Sequence, residues 1–201
     1  MTHSLHRLCV YCGSSPGARP EYVEAAHAMG RALAGRGIGL VYGGGRVGLM
    51  GQVAKAALEA GGEVTGVITR RLAEMELAYD GLTALHTVET MHERKALMAE
   101  LSDGMIGLPG GLGTIEELFE ALAWAQLGMH AKPCGLLNTL GYYDRLLGFL
   151  DFAVEELFVE EAHRAMLVVA ADPAELLARF ETYQPPSANK AAWVLRLSED
   201  L

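Results

Sequence analysis

Short apolar runs, most closed by glycine or a small polar residue, alternate along this chain with longer stretches of helical periodicity. No other feature limits the fold as much. Continuous apolar runs suit strands buried on both faces, and parallel strands need a helix-sized crossover between them. The runs lie at 8–11, 38–42, 64–68, 104–108, 134–138 and 166–169. Helices are expected over 20–35, opened by Pro20 and closed by Gly35, and over 48–60, 90–102, 114–127, 142–158 and 173–183. Residues 70–89 are less regular, with 85–88 a candidate short strand.

This alternation predicts an α/β fold: a single-domain, Rossmann-like, mostly parallel sheet with helices on both faces. The domain spans residues 1–184, and Pro185-Pro186 opens a C-terminal tail over 185–201. A length of 201 residues suits one such domain. A net charge of −9 argues against broad binding of a nucleic-acid backbone, which needs many Lys/Arg–phosphate contacts. One nucleotide in one pocket needs only a few local donors. No apolar stretch approaches the roughly 20 residues of a membrane span. The opening residues lack the pattern of a signal peptide, and three cysteines do not make a disulfide framework. The expected compartment is the cytoplasm, with neither membrane nor nucleic acid as partner.

Ligands of open parallel sheets bind beyond the carboxyl ends of the strands. Three loops that leave such ends are rich in glycine: Gly13-Ser14-Ser15, Gly43-Gly44-Gly45-Arg46-Val47-Gly48 and Pro109-Gly110-Gly111-Leu112-Gly113-Thr114. Glycine lets backbone amides approach a ligand, and a following helix N-terminus favours an anion. Each loop taken alone is equally a tight turn needing positive φ. Three at one edge favour an anion site, of which 109–114 is the centre. The pattern is neither a Walker loop nor the dinucleotide fingerprint.

Met91-His92-Glu93-Arg94-Lys95 sets two cations near a helix start, where negative charge is preferred. A ligand anion would explain them, and so would a surface ion-pair network with Glu89 and Glu93. Thr114-Ile115-Glu116-Glu117 reads as a capping box with Thr114 at the N-cap. No metal site is expected. Cys9 and Cys12 have no second ligand pair, and three residues apart on a strand they face opposite ways. His86, His92 and His130 are scattered.

The segments 91–95 and 109–117, taken together, resemble the double signature of the Lonely Guy family of cytokinin riboside 5′-monophosphate phosphoribohydrolases. The resemblance extends over most of the chain, including Val10-Tyr11-Cys12-Gly13-Ser14-Ser15, Val41-Tyr42-Gly43-Gly44-Gly45, Gly48-Leu49-Met50-Gly51 and Trp124-Ala125-Gln126-Leu127-Gly128. It implies hydrolysis of a nucleoside 5′-monophosphate to free base and ribose 5-phosphate, without a cofactor. It implies Arg94 and Glu117 as the catalytic pair, Lys95 beside the nucleotide, and Gly110, Gly111, Leu112, Gly113, Thr114, Ile115 and Glu116 around phosphate and ribose. Glu76 matches an acidic position near the base. Gly13, Ser14, Gly43, Gly44 and Gly45 join the substrate site. Ala123 departs from the family, whose plant members carry Thr there. A homodimer is the implied assembly. The alternative to an enzyme is a nucleotide or molybdenum-cofactor carrier of related fold.

Overall fold

The computed structural model describes residues 4–75, 77–186 and 193. Seven strands form one sheet: β1 (Arg7–Tyr11), β2 (Gly39–Tyr42), β3 (Val64–Thr69), β4 (Ala84–Val88), β5 (Met105–Gly107), β6 (Cys134–Leu137) and β7 (Leu167–Ala170). Their order is β4-β3-β2-β1-β5-β6-β7, and every pairing is parallel. The chain winds outward from β1 in one direction, then returns to pair β5 with the free side of β1. This doubly wound sheet is the expected Rossmann-like architecture.

Alternation along the strands divides the core in two. Leu8 and Val10 point into one cluster, with Met29 and Leu33 of α1 (Pro20–Gly35), Val53 of α2 (Gly48–Glu59) and Phe180 at the far end of the chain. Cys9 and Tyr11 point into the other, with Met98, Leu118 and Leu150. Cys9 and Cys12 thus lie on opposite sides of the sheet. The helices of the second layer are α4 (Met91–Glu100), α5 (Leu112–Gln126) and α6 (Asp144–Glu155).

The irregular stretch 70–89 resolves into α3 (Arg70–Glu74), a loop and edge strand β4. The expected helix over 142–158 is shorter. A 3₁₀ turn at Thr139–Gly141 precedes it, and Leu157, at φ 61°, follows its end. The short α7 (Glu161–Arg164) is unanticipated, and α8 (Pro173–Glu181) closes the domain with Asp172 capping its first turn. Among the described residues no helix is long and apolar enough to cross a membrane. Residues 187–192 and 194–201, most of the expected tail, lie outside the described residues.

Candidate active site

The strand order reverses between β1 and β5, so the loops that leave these two strands diverge to opposite faces and open a crevice between them. They carry Gly13-Ser14-Ser15 and Pro109-Gly110-Gly111. The Gly13 N–H donates to Pro109 O at 3.1 Å, which joins the two loops at their base. Beyond that bond lies a cleft of about 430 Å³ lined by Ser14, Ser15, Leu49, Gly110, Tyr22 and Tyr142 among others. Two helix N-termini open on it. Leu112 begins α5, and Leu49 sits in the first turn of α2 with its N–H on Gly13 O at 2.9 Å. Gly48 makes this approach feasible: at φ 58° a Cβ there would run into the Ser14 backbone. Among the described residues no acidic side chain lines the cleft, and unpaired amides at helix starts favour an anion.

A buried ion pair lies one turn into α5. Arg94 is 6% exposed, and its Nη1 donates to Glu117 Oε1 at 2.7 Å while its Nε donates to Val67 O of β3 at 3.0 Å. The guanidinium therefore bridges β3 and α5 across the end of β2. Gly43 makes room for it, since a Cβ at that position would overlap Arg94 Nη2. Burial pushes the Glu117 carboxyl above the ordinary glutamate value of 4.5, and Arg94 pulls against that without cancelling it. A desolvated carboxyl beside a fixed cation is a common arrangement where proton transfer or charge stabilisation occurs.

Lys95 is buried too. Its ammonium donates to Glu116 Oε1 at 2.5 Å and lies 3.0 Å from Glu120 Oε2. Burial works to lower its pKa, but the two carboxylates outweigh it and lift it above 10.5. The two cations of α4 thus find their counter-charges on α5, not in a surface network. Glu89 pairs instead with Arg70, and Glu93 closes a capping box with Thr90. Glu120 was not anticipated. Its signal is spacing, because positions 116 and 120 stack on one helix face.

The capping box expected at Thr114–Glu117 does not form. Helix α5 starts two residues earlier, with Gly111 as N-cap in an extended conformation (φ −93°, ψ −154°) and no side-chain cap. Thr114 is then a third-position helix residue, 5% exposed, folded back over Gly110. Glu117 is released from capping and is free to meet Arg94. The glycines misled the reading, because they look like turn residues while two of them flank the true helix start.

The other expected site residues divide into groups. Gly13, Ser14, Gly110 and Gly111 line the cleft. Leu112 and Gly113 are exposed at its edge, and Ile115 is half-buried in α5. Gly44 and Gly45 are buried turns beneath the segment 77–79, where Tyr79 N–H donates to Gly44 O at 2.9 Å. Glu76 lies outside the described residues. Tyr22, in the first turn of α1, and Tyr142, after the 3₁₀ turn, were missed, because neither carries a sequence signal that points to the cleft. Ala123 borders a second, apolar concavity between α5 and α6, with Phe119, Leu150 and Phe158.

A doubly wound α/β domain with an anion cleft at its switch point and a buried Arg–Glu pair beside it defines a class: Rossmann-like proteins built to hold a phosphorylated small molecule. Sequence comparison narrows the class. The family described as "Possible lysine decarboxylase" matches residues 50–180. The chain is 51% identical, over 89% of its length and 72% of the relative's, to the probable cytokinin riboside 5′-monophosphate phosphoribohydrolase LOGL6 of Oryza sativa subsp. japonica. It is 47% identical, over 93% of its length and 88% of the relative's, to the cytokinin riboside 5′-monophosphate phosphoribohydrolase LOG3 of Arabidopsis thaliana. The chain belongs to this family, the Lonely Guy family of the sequence resemblance. Among solved structures, the molybdenum cofactor binding protein of Rippkaea orientalis superimposes with a TM-score of 0.66 at 23% identity, covering 90% of this chain and 98% of that one. That likeness extends to the fold alone.

Proposed function

We propose that this protein hydrolyses the N-glycosidic bond of a purine riboside 5′-monophosphate, either AMP or an N6-modified cytokinin counterpart, to free base and ribose 5-phosphate. The observation that carries this is the buried Arg94–Glu117 pair one turn beyond an amide-lined anion cleft. Cleavage passes through a ribose with oxocarbenium character, in which positive charge grows at C1′. The 5′-phosphate is held by the loops 13–15 and 110–113. Glu117, as carboxylate, faces the ribose, where it stabilises the growing charge or takes a proton from the attacking water. Water oxygen bonds to C1′, the C1′–N9 bond breaks with its electron pair leaving on the base, and the proton that water loses ends on the base. Arg94 acts through its charge and its fixed geometry rather than by proton transfer. Its role is to hold Glu117 and complement the nucleotide's charge.

Incubation of the purified protein with AMP, followed by chromatography, should yield adenine and ribose 5-phosphate in equal amounts. Intact AMP, isopentenyladenosine monophosphate and other monophosphates after prolonged incubation would contradict the hydrolase reading and leave a carrier. A carrier needs the cleft but not a desolvated carboxyl one turn away. Decarboxylation of lysine fits poorly, because a Schiff-base lysine must shed its proton. Among the described residues, Lys95 is held protonated by two carboxylates, Lys132 donates to Ala99 O, and Lys55 is an exposed surface residue paired with Glu59.

The protein works in the cytoplasm, a reading supported by three buried free thiols, which suit a reducing compartment. It works as a homodimer. Leu146, Leu147 and Leu150 of α6 face the core, while Phe149 and Phe152 turn outward with 63% and 53% exposure, near Phe158 at 82%. A patch of this kind suits a second copy. The double substitution Phe149→Arg/Phe152→Arg should convert a dimer to a monomer in light scattering. A wild-type monomer at micromolar concentration would contradict the assembly.

A further inference from the structure

We propose that Tyr142 is a positioning residue for the anion cleft: its phenol holds the Gly110–Gly111 peptide in the one orientation that suits a bound 5′-phosphate. The identity of the anion rests on the phosphoribohydrolase reading, and the rest stands on geometry. The loop after β5 offers three successive carbonyls to donors outside itself. Leu108 O accepts from Tyr143 Oη at 2.6 Å, Pro109 O from the Gly13 N–H at 3.1 Å, and Gly110 O from Tyr142 Oη at 2.6 Å. Two of the three donors are adjacent tyrosines from the loop after β6.

That loop is braced to deliver them. Asn138 Oδ1 accepts from the Tyr143 N–H at 2.8 Å, and Asn138 Nδ2 donates to Asp144 Oδ1 at 2.7 Å. Leu140 takes the left-handed region at φ 54°, a conformation uncommon for a side chain of its size. Strain of this kind persists where surrounding contacts over-determine it. The Tyr142 ring is clamped edge-on between Tyr143 at 4.8 Å and Tyr22 of α1 at 5.6 Å. Tyr143 is buried and its bond is sealed in the core. Tyr142 is 42% exposed and borders the cleft, so its bond is the one a ligand meets.

The need for a latch follows from the two glycines. Without a Cβ on either side, the peptide between Gly110 and Gly111 flips at little steric cost. In a planar trans peptide the Gly111 N–H points opposite to Gly110 O. A flipped peptide would turn a carbonyl oxygen where an N–H should be, and a phosphate repels it. Tying Gly110 O to a phenol removes that state before ligand arrives, so the ordering is completed in the free protein.

The test is Tyr142→Phe, which keeps the ring packing and removes only the hydroxyl. With AMP as substrate, KM should rise about fivefold, the worth of one hydrogen bond, while kcat stays within twofold. The thermal midpoint should stay within about 2 °C of wild type, since the lost bond is at an exposed rim. Tyr143→Phe should behave oppositely: its lost bond is buried, so the midpoint falls while KM barely moves. An unchanged KM in Tyr142→Phe, or a fall in kcat at constant KM, would overturn the proposal. If wild type hydrolyses no monophosphate, the hydrolase reading fails and the latch is judged by calorimetric affinity for AMP. A fivefold loss of affinity in Tyr142→Phe then upholds it, and equal affinities, or no AMP binding by wild type, overturn it.

Discussion

Glu117→Gln should lower kcat on AMP by roughly a thousandfold, within the range that loss of a catalytic acid–base group produces. The amide keeps nearly the same shape and still offers an oxygen to Arg94 Nη1, so the 2.7 Å contact survives as a hydrogen bond. What disappears is the negative charge proposed to face the ribose, and the capacity to accept a proton. KM should change little, because in the proposed mode the cleft, not Glu117, holds the phosphate. Some stability is lost as well, since Arg94 becomes a buried cation without a counter-charge. The wild-type pH profile carries a second signature. Burial sets the Glu117 pKa above 4.5, and the active form is the carboxylate, so kcat should rise with pH through a limb displaced above the ordinary glutamate range. The residual rate of the variant should lack that limb. A Glu117→Gln enzyme within tenfold of wild-type kcat would remove Glu117 from the chemistry.

The sheet was legible because buried parallel strands advertise themselves: runs such as 38–42 and 64–68 are mostly apolar, and the strands they form are buried almost throughout. The edges were less so. Strand β4 pairs on one side only and exposes Leu85, His86 and Thr87, so its pattern is diluted. The start of α5 was misplaced because Thr114–Glu117 satisfies the spacing of a capping box, while the deciding fact, the extended backbone of Gly111, has no side-chain signature. Conversely the Thr90–Glu93 box, which does form, was readable at the same spacing and was overshadowed by the neighbouring cations. Arg94 and Lys95 stood out in the sequence as charges out of place. Their partners could not be read, because α4 and α5 meet only after β5 has carried the chain across the sheet. Tyr142 illustrates the limit most clearly. Its role depends on a left-handed residue two positions earlier and a carbonyl 32 residues away.

Gly43→Ala should reduce kcat/KM on AMP by about a hundredfold, although residue 43 presents no chemistry of its own. The added methyl would occupy space taken by Arg94 Nη2. Neither neighbour yields easily: Gly43 follows β2 in the sheet, and Arg94 is tied at Nε to Val67 O and at Nη1 to Glu117. The guanidinium must therefore swing away and loosen both bonds. Displacing a positioning group by about an ångström is enough to cost about two orders of magnitude in rate. Overpacking a buried site also lowers stability, by roughly 1–3 kcal/mol. Activity loss through general destabilisation can be separated from loss through Arg94 by a double-mutant cycle. If Gly43 matters because it makes room for the guanidinium, then once Arg94→Ala has removed the guanidinium the extra methyl meets only the flexible Met50 Sδ, at 3.3 Å. Gly43→Ala/Arg94→Ala should then be no slower than Arg94→Ala alone. Strictly additive losses would mean that Gly43 acts through the backbone of its own loop, and the dependence of the catalytic pair on a missing side chain at the end of β2 would fall.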